Sequence, residues 1–432
     1  MSKKEVAISS QIYESCKPVI FVCRVLGLFP VSICRKTNQL YLKWSRLYTI
    51  YSCTLGITIT ILAYYGLSRD ILNGKTMAIK IRSQTHMYVI ICDVSVLIAA
   101  VLCGIFSNIF NCCKDLKLIN YFNKVDAIIP LTNTKRIRNT AIRMITIILT
   151  VTAFITIADL VMYYLISNNN ISKILIWECY GAFYLTFYIA LINEYKFCFL
   201  GYCILKRLEQ LNKHLGVDNF KNENIEKILK SNINACLPQK ACENNTEKAK
   251  SMNALALSKL NYIDTHTRMI RNRIYKLILA HDLLCDATKI LNELYGLNNA
   301  VTIIGILWHL IETPYLLISE LTGNRKDSIY LTVLFLWCLL HIGRLMLLAQ
   351  PCHSCLNEAQ KTSDLVCKLL FSLDSDREVK SKLRDFALIL LHRKFEFTAS
   401  GLIAVNRALV TTIVGAITTY LVILLQFARS EQ

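Results

Sequence analysis

The chain has 432 residues, 54% of them hydrophobic and 18% charged, and its 49 Lys and Arg against 30 Asp and Glu give a net charge of +19. A mean hydropathy of +0.40 excludes a set of ordinary soluble domains, which are less apolar and carry about 25% charged residues. The basic excess falls between apolar runs, with no nucleic-acid-binding signature, so it reads as a topology signal and a contact with anionic lipid.

The first ten residues, MSKKEVAISS, carry charge without an apolar core or a small-residue cleavage site. No removable signal peptide is expected, and the N-terminus is expected to stay in the cytosol. Within the N-terminal segment 1–46, PVIFVCRVLGLFPVSIC is broken by Arg24 and Pro30 and reads as an interfacial or re-entrant piece. Apolar runs of about 20 residues, the length that crosses a bilayer, follow at 47–66, 84–107, 144–166, 174–205, 297–319, 329–350 and 401–427. The predicted fold class is an all-α membrane protein with seven transmembrane helices.

Spans one to four occupy 47–205, and the fourth is longer than a single crossing needs, so its second half is predicted to continue as a helix beyond the membrane. In 206–296, residues 212–251 are rich in Asn, Lys and Glu and read as a flexible insertion. Residues 255–296 have the period of a long amphipathic helix leading into span five. Spans five and six occupy 297–350, a second helical segment ending in FALILLHRKFEF fills 351–400, and 401–432 holds the last span and a short tail. The helices outside the membrane are expected to pack into a cytosolic layer where subunits can meet.

Orientation follows from the basic residues. Segments 1–46, 107–143, 206–276 and 350–394 hold 37 of them, while 67–83, 167–173, 319–328 and 428–432 hold 8. The first set is predicted inside, which puts the C-terminus outside, opposite to a G-protein-coupled receptor. None of the 18 cysteines falls in a predicted outside segment, as expected where disulfides form only on the oxidising side. The sequon at Asn170 lies in an outside loop, and the one at Asn244 lies inside.

Two constellations carry chemistry. Trp177, Trp308 and Trp337 fall at mid-membrane or in the outer halves of spans four to six, in one layer with Asp93, Asp159, Glu178, Glu312 and Thr313. Ionisable residues within spans mark functional sites, and aromatic faces with a few hydrogen-bonding groups suit a small polar ligand. The alternative is an aromatic belt at the interface, which fits Trp177 best and Trp308 and Glu312 least. In the last span, Thr411, Gly415, Thr419, Val422 and Gln426 recur at three- and four-residue steps on one helical face. Such a stripe either lets helices pack closely or, repeated around an oligomer axis, lines a water path.

The remaining motifs have plainer readings. Cys352-His353-Ser354-Cys355 has the spacing of two zinc ligands but no second pair, so packing or a helix cap is the better reading. His309 and His341 read as satisfied bundle residues, and Arg344 and Arg407 as snorkelling or ion-paired groups near the cytosolic ends. No phosphate-binding loop and no nucleophile with a base is found, so neither an enzyme nor a bound cofactor or metal is expected. Related halves with interrupted helices, which a transporter would show, are not found.

Thr419-Tyr420, five hydrophobic residues and Gln426-Phe427 resemble the C-terminal signature of the insect gustatory receptor family. The stretch FEFTASGLIAVNRALVTTIVGAITTYLVILLQF around it, ILNELYGLNNA before span five and PCHSCLNEAQKT after span six are also similar to family segments. The resemblance covers nearly the whole chain. It implies a ligand-gated, poorly selective cation channel in which four subunits surround one pore, located in the plasma membrane of chemosensory neurons. It implies a cytosolic helix near 378–396, a pore helix at 401–427 with Gln426 and Phe427 at the gate, and a ligand pocket among spans two to six. The joint features look most like the fructose-type sugar receptors, which makes a monosaccharide the favoured ligand and Trp177, Thr313 and Trp337 the first contacts. A homotetramer is then expected, with other gustatory subunits as further partners. A receptor for a bitter or amine compound is the alternative within the family, and a metabotropic seven-helix receptor the alternative outside it.

Overall fold

Long helices follow the apolar runs closely, because a backbone in lipid must satisfy its own hydrogen bonds. The computed structural model describes residues 5–36, 39–72, 84–166, 173–216, 245–322, 327–372 and 377–430. The helices are α1 (Ser10–Val25), α2 (Arg46–Leu72), α3 (Gln84–Phe110), α4 (Cys112–Ile128), α5 (Thr134–Ile166), α6 (Lys173–Leu215), α7 (Asn245–Thr322), α8 (Ser328–Ser372), α9 (Arg377–His392) and α10 (Arg407–Ser430). Six of them, α2, α3, α5, α6, α7 and α8, contain stretches long and apolar enough to cross a membrane, and α10 has a shorter apolar stretch over Arg407–Ile423. The flexible insertion expected at 212–251 falls largely outside the described residues.

Helix α6 is the hub, with 83% of its apolar stretch buried within the chain, and it packs against α2, α3, α5, α7 and α8. The continuation of the fourth run is observed, since α6 runs unbroken to Leu215. The amphipathic segment before span five is likewise one helix with it, the 78-residue α7. The extended ends pack together: Asn212 of α6 donates to the Glu358 carbonyl of α8 at 2.8 Å and accepts from Thr362 at 2.7 Å. His281 of α7 meets the ring of Phe386 of α9 edge-on at 5.7 Å.

The fold is not wholly helical. Strands β1 (Val6–Ile8), β2 (Val31–Lys36) and β3 (Gln39–Trp44) form an antiparallel sheet in the order β1-β3-β2. Val31 faces Trp44 across the β2–β3 pair, and Val6 faces Leu42 across β1–β3. The segment expected to be interfacial is therefore α1, a turn with Gly27 at φ 71°, and a hairpin. Arg24 does break the apolar run, but its guanidinium donates to the Val31 carbonyl at 2.7 Å and ties α1 to β2. Strands this short leave only a brief alternation in the sequence, here Val31, Ile33 and Leu40, Leu42, which the helix-length runs overshadow.

The last span starts at Arg407, six residues later than the apolar run. Residues Thr398–Ala399 (β4) and Ile403–Ala404 (β5) pair antiparallel, with Ser400 at φ 54° and Gly401 at φ 72° in the turn. Gly401 relieves the strain that a side chain would meet there. Asn292 of α7 clamps this hairpin, donating to the Glu396 carbonyl at 2.6 Å and accepting from the Thr398 N–H at 3.2 Å. Gly296, one helical turn on, lets the Ser400 backbone approach so closely that a Cβ at 296 would lie 3.0 Å from its nitrogen. Cys352 and Cys355 donate to the carbonyls of Leu348 and Gly201, the packing role expected of them.

Candidate functional site

Five helices bring polar side chains to one cavity, which lies towards the C-terminal end of α7 and the N-terminal end of α8. The helical period builds the wall: His309, Glu312, Thr313 and Leu316 form one stripe on α7, and Tyr330, Leu334, Trp337 and His341 form one on α8. Asp93 and Asp159 enter from α3 and α5, Tyr180, Phe183 and Phe187 from α6, and Ala63, Gly66 and Leu67 from α2. The cavity volume is about 90 Å³. Pro314 follows the polar stripe directly within α7, and its missing N–H leaves the Leu310 carbonyl without its helical partner.

The polar groups are organised around aromatic rings. Asp93 Oδ1 lies 2.7 Å from His309 Nδ1. The His309 ring stacks on His341 at 4.3 Å between centroids with 13° between planes, and His341 in turn stacks on Trp337 at 5.8 Å. Phe187 meets Trp337 edge-on at 5.1 Å. On the opposite wall, Tyr184 donates to Asp159 at 2.7 Å, and Tyr163 stacks with Tyr180 at 4.5 Å. The lining holds three carboxylates and, among the described residues, no Lys or Arg.

Below the cavity, His341 Nδ1 lies 3.2 Å from Arg344 Nη1, and the Arg344 guanidinium grips both carboxylate oxygens of Glu194 on α6. The pair is almost fully buried, so Arg344 does not snorkel. Arg407 is exposed and donates to Gln350 at 3.0 Å. A second buried cation, Lys196, donates to Asn108 and to the Leu28 carbonyl and lies 3.4 Å from Asp115. Glu194 and Lys196 were legible as charges within the fourth apolar run but escape a reading that places only the outer halves of spans.

Of the residues predicted to bind ligand, Asp93, Asp159, Glu312, Thr313 and Trp337 all line the cavity. Trp308 does not: it is half-buried on the neighbouring face of α7, and its indole N–H has no hydrogen-bond partner. The side chains of Trp177 and Glu178 lie outside the described residues. His309 and His341, expected to be satisfied packing residues, belong to the wall. Their positions carried a signal, since His309 precedes Glu312 by three residues and His341 follows Trp337 by four, so each shares a face with a predicted contact.

Helix α10 buries Leu409 and Ile413 against α7 and α8 and turns its other side away from the chain. Thr411, Gly415, Thr419, Val422 and Gln426 are all exposed, and the side chain of Phe427 is outside the described residues. The Thr411 and Thr419 hydroxyls donate to the Ala408 and Gly415 carbonyls at 2.8 and 3.0 Å. Hydroxyls satisfied within their own helix tolerate lipid, protein or water at this face.

Comparison with known proteins places this architecture. A family profile described as "7tm Chemosensory receptor" matches residues 16–431. The chain is 28% identical to the Drosophila melanogaster protein "Gustatory receptor for sugar taste 43a", over 96% of this chain and 98% of that one. It is 34% identical to the fly's "Putative gustatory receptor 28b" over 158 residues, 35% of this chain and 33% of that one. Its fold is similar to that of the insect olfactory receptor OR5 from Machilis hrabei, with TM-scores of 0.62 for one structure and 0.61 for another in complex with eugenol. In both cases 97% of this chain and 100% of that one are covered, at 13% identity. The chain belongs to the 7tm chemosensory receptor family of insect gustatory receptors.

Proposed function

We propose that the chain is a gustatory receptor that works as a ligand-gated, non-selective cation channel, opened by a small polar tastant and most readily by a monosaccharide such as fructose. The observation that carries this reading is the cavity itself, in which Asp93, Asp159, Glu312 and Thr313 stand beside the Trp337 ring. Carboxylates accept hydrogen bonds from adjacent sugar hydroxyls, and an aromatic face receives the apolar side of the sugar ring. The relative named for sugar taste, similar over nearly the full length, supports the same ligand class.

In this reading the N-terminus is cytosolic and the C-terminus extracellular in the plasma membrane of a chemosensory neuron. Residues 47–205 with 297–350 form the ligand-binding bundle, 206–296 and 351–400 supply the cytosolic anchor, and 401–432 forms the pore. Four copies surround an axis, each contributing the α10 face that carries Thr411, Gly415, Thr419 and Val422, with Gln426 and Phe427 at the outer gate. The exposure of that face in the single chain supports its use between copies. Ligand opens the channel by binding the open state more tightly than the closed one.

One observation favours a second ligand class. Three carboxylates without a lining Lys or Arg suit a cationic amine or alkaloid as well as a sugar, because the rings attract cations and the acids pair with them. The test is whole-cell current from cells expressing this chain alone, perfused with sugars and then with amines. A current evoked by a sugar supports the leading reading. A current evoked only by a cationic compound replaces the ligand class, and silence to both, with surface expression verified, defeats a self-sufficient channel.

A further inference from the structure

We propose that the cavity also contains a binding site for a divalent transition-metal cation of the zinc class, formed by Asp93, His309 and Glu312. The inference rests on the reading of this cavity as a ligand pocket only in that both require it to be reached from solvent. Each of the three side chains offers one ligand atom, and these atoms all lie within 4.8 Å of one another. They come from two facing helices, with His309 and Glu312 three residues apart on α7 and Asp93 opposite on α3. A His and a Glu at that spacing on one helix, met by a carboxylate from its neighbour, is how helical bundles build metal sites in their cores.

The second observation concerns the Asp93–His309 contact. Asp93 Oδ1 and His309 Nδ1 are 2.7 Å apart, yet the oxygen is shielded from solvent and accepts no hydrogen bond. A buried carboxylate oxygen left in that state is costly. The pair is one that a proton on His309 or a metal cation can bridge, and either satisfies the carboxylate oxygen. Zinc bonds to such atoms are about 2.0–2.2 Å long and tetrahedrally disposed, which sets the ligand atoms on the order of 3.5 Å apart. The present separations, from 2.7 Å up to 4.8 Å, bracket that spacing.

The donor set selects the cation. One imidazole with two carboxylates suits zinc, cobalt and manganese, whereas magnesium and calcium prefer oxygen alone and copper(I) prefers thiolates. Three protein ligands leave a fourth position facing the cavity, where a water or a ligand oxygen completes the shell.

Cobalt(II) is the probe, titrated into the full-length protein purified in detergent and followed by its visible absorption. The expected result is one cobalt per chain, with no thiolate charge-transfer band in the near ultraviolet. His309→Gln and Glu312→Gln, each checked for folding by size-exclusion chromatography, weaken binding by more than about tenfold, the least that loss even of an outer partner brings. Cys352→Ser with Cys355→Ser leaves it unchanged. No bound cobalt, a thiolate band, or undiminished binding in whichever of the two triad variants folds overturns the site. Cobalt binding without a sugar current defeats the sugar reading alone, and a sugar current without cobalt binding defeats the metal site alone.

Discussion

At the residue scale, Trp337 is the side chain to test first, because it touches the cavity on one side and the His341 and Phe187 rings on the other. Trp337→Ala removes the largest aromatic face that lines the cavity among the described residues. We expect the agonist concentration for half-maximal current to rise by about tenfold or more, the scale of losing a buried aromatic anchor, with the maximal current retained at saturation. Dose–response recordings beside surface labelling check this, and a loss of surface protein would show that the ring serves packing instead. The contrast with Trp308 shows what was legible in the sequence. Hydropathy gives depth in the membrane, so both tryptophans were placed at the same level. Rotation about the helix axis is a separate quantity, and Trp308 stands roughly a quarter turn from the stripe through His309, Glu312 and Thr313. Applying the helical period recovers both histidines, but Trp308 precedes Glu312 by four residues, and only the whole stripe through His309, Thr313 and Leu316 leaves it at the margin.

At the element scale, two contacts hold the bundle in register. Arg344 of α8 and Glu194 of α6 pair where water is excluded, beside the His341 that floors the cavity. Leaving either charge without its partner costs about 3–5 kcal/mol, while removing both in favour of apolar groups can be neutral. Arg344→Met should therefore lower the melting temperature of the purified protein sharply, and Arg344→Met with Glu194→Leu should recover much of the loss. A double variant as unstable as the single one would mean that the ion pair itself, and not a stranded charge, sets stability. The second contact joins the segments around Asn292 and Phe397, with Asn292 and Gly296 shaped to the hairpin that leads into α10. Gly296→Ala would ordinarily favour a helix by about 1 kcal/mol. Here the new methyl group meets the Ser400 backbone, so the variant should be less thermostable than the wild type. The hairpin and the N-terminal sheet were not legible, because two- to six-residue strands leave too little alternation to stand out beside runs of helical length.

At the scale of the whole molecule, orientation and assembly decide how the cavity and α10 work together. In the proposed orientation Asn170 is outside and Asn244 inside, so a glycosidase-sensitive mass shift should disappear in Asn170→Gln and persist in Asn244→Gln. The reverse result would invert the topology. With that orientation, α10 presents the same exposed stripe from every copy, and a symmetric assembly turns one side chain per chain into a ring. Gln426 lies near the outer end of that stripe, where a ring of amides offers water and cations polar contacts that lipid cannot. Gln426→Trp replaces those amides with bulk and should reduce single-channel conductance or open probability several-fold. Because Gln426 is remote from Asp93, Glu312 and Trp337 in the sequence and lies on a different helix, metal binding and surface expression should be unaffected. Single-channel recording separates the possibilities: an unchanged conductance and open probability with a shifted agonist concentration would remove Gln426 from the conduction path and return the stripe to helix packing.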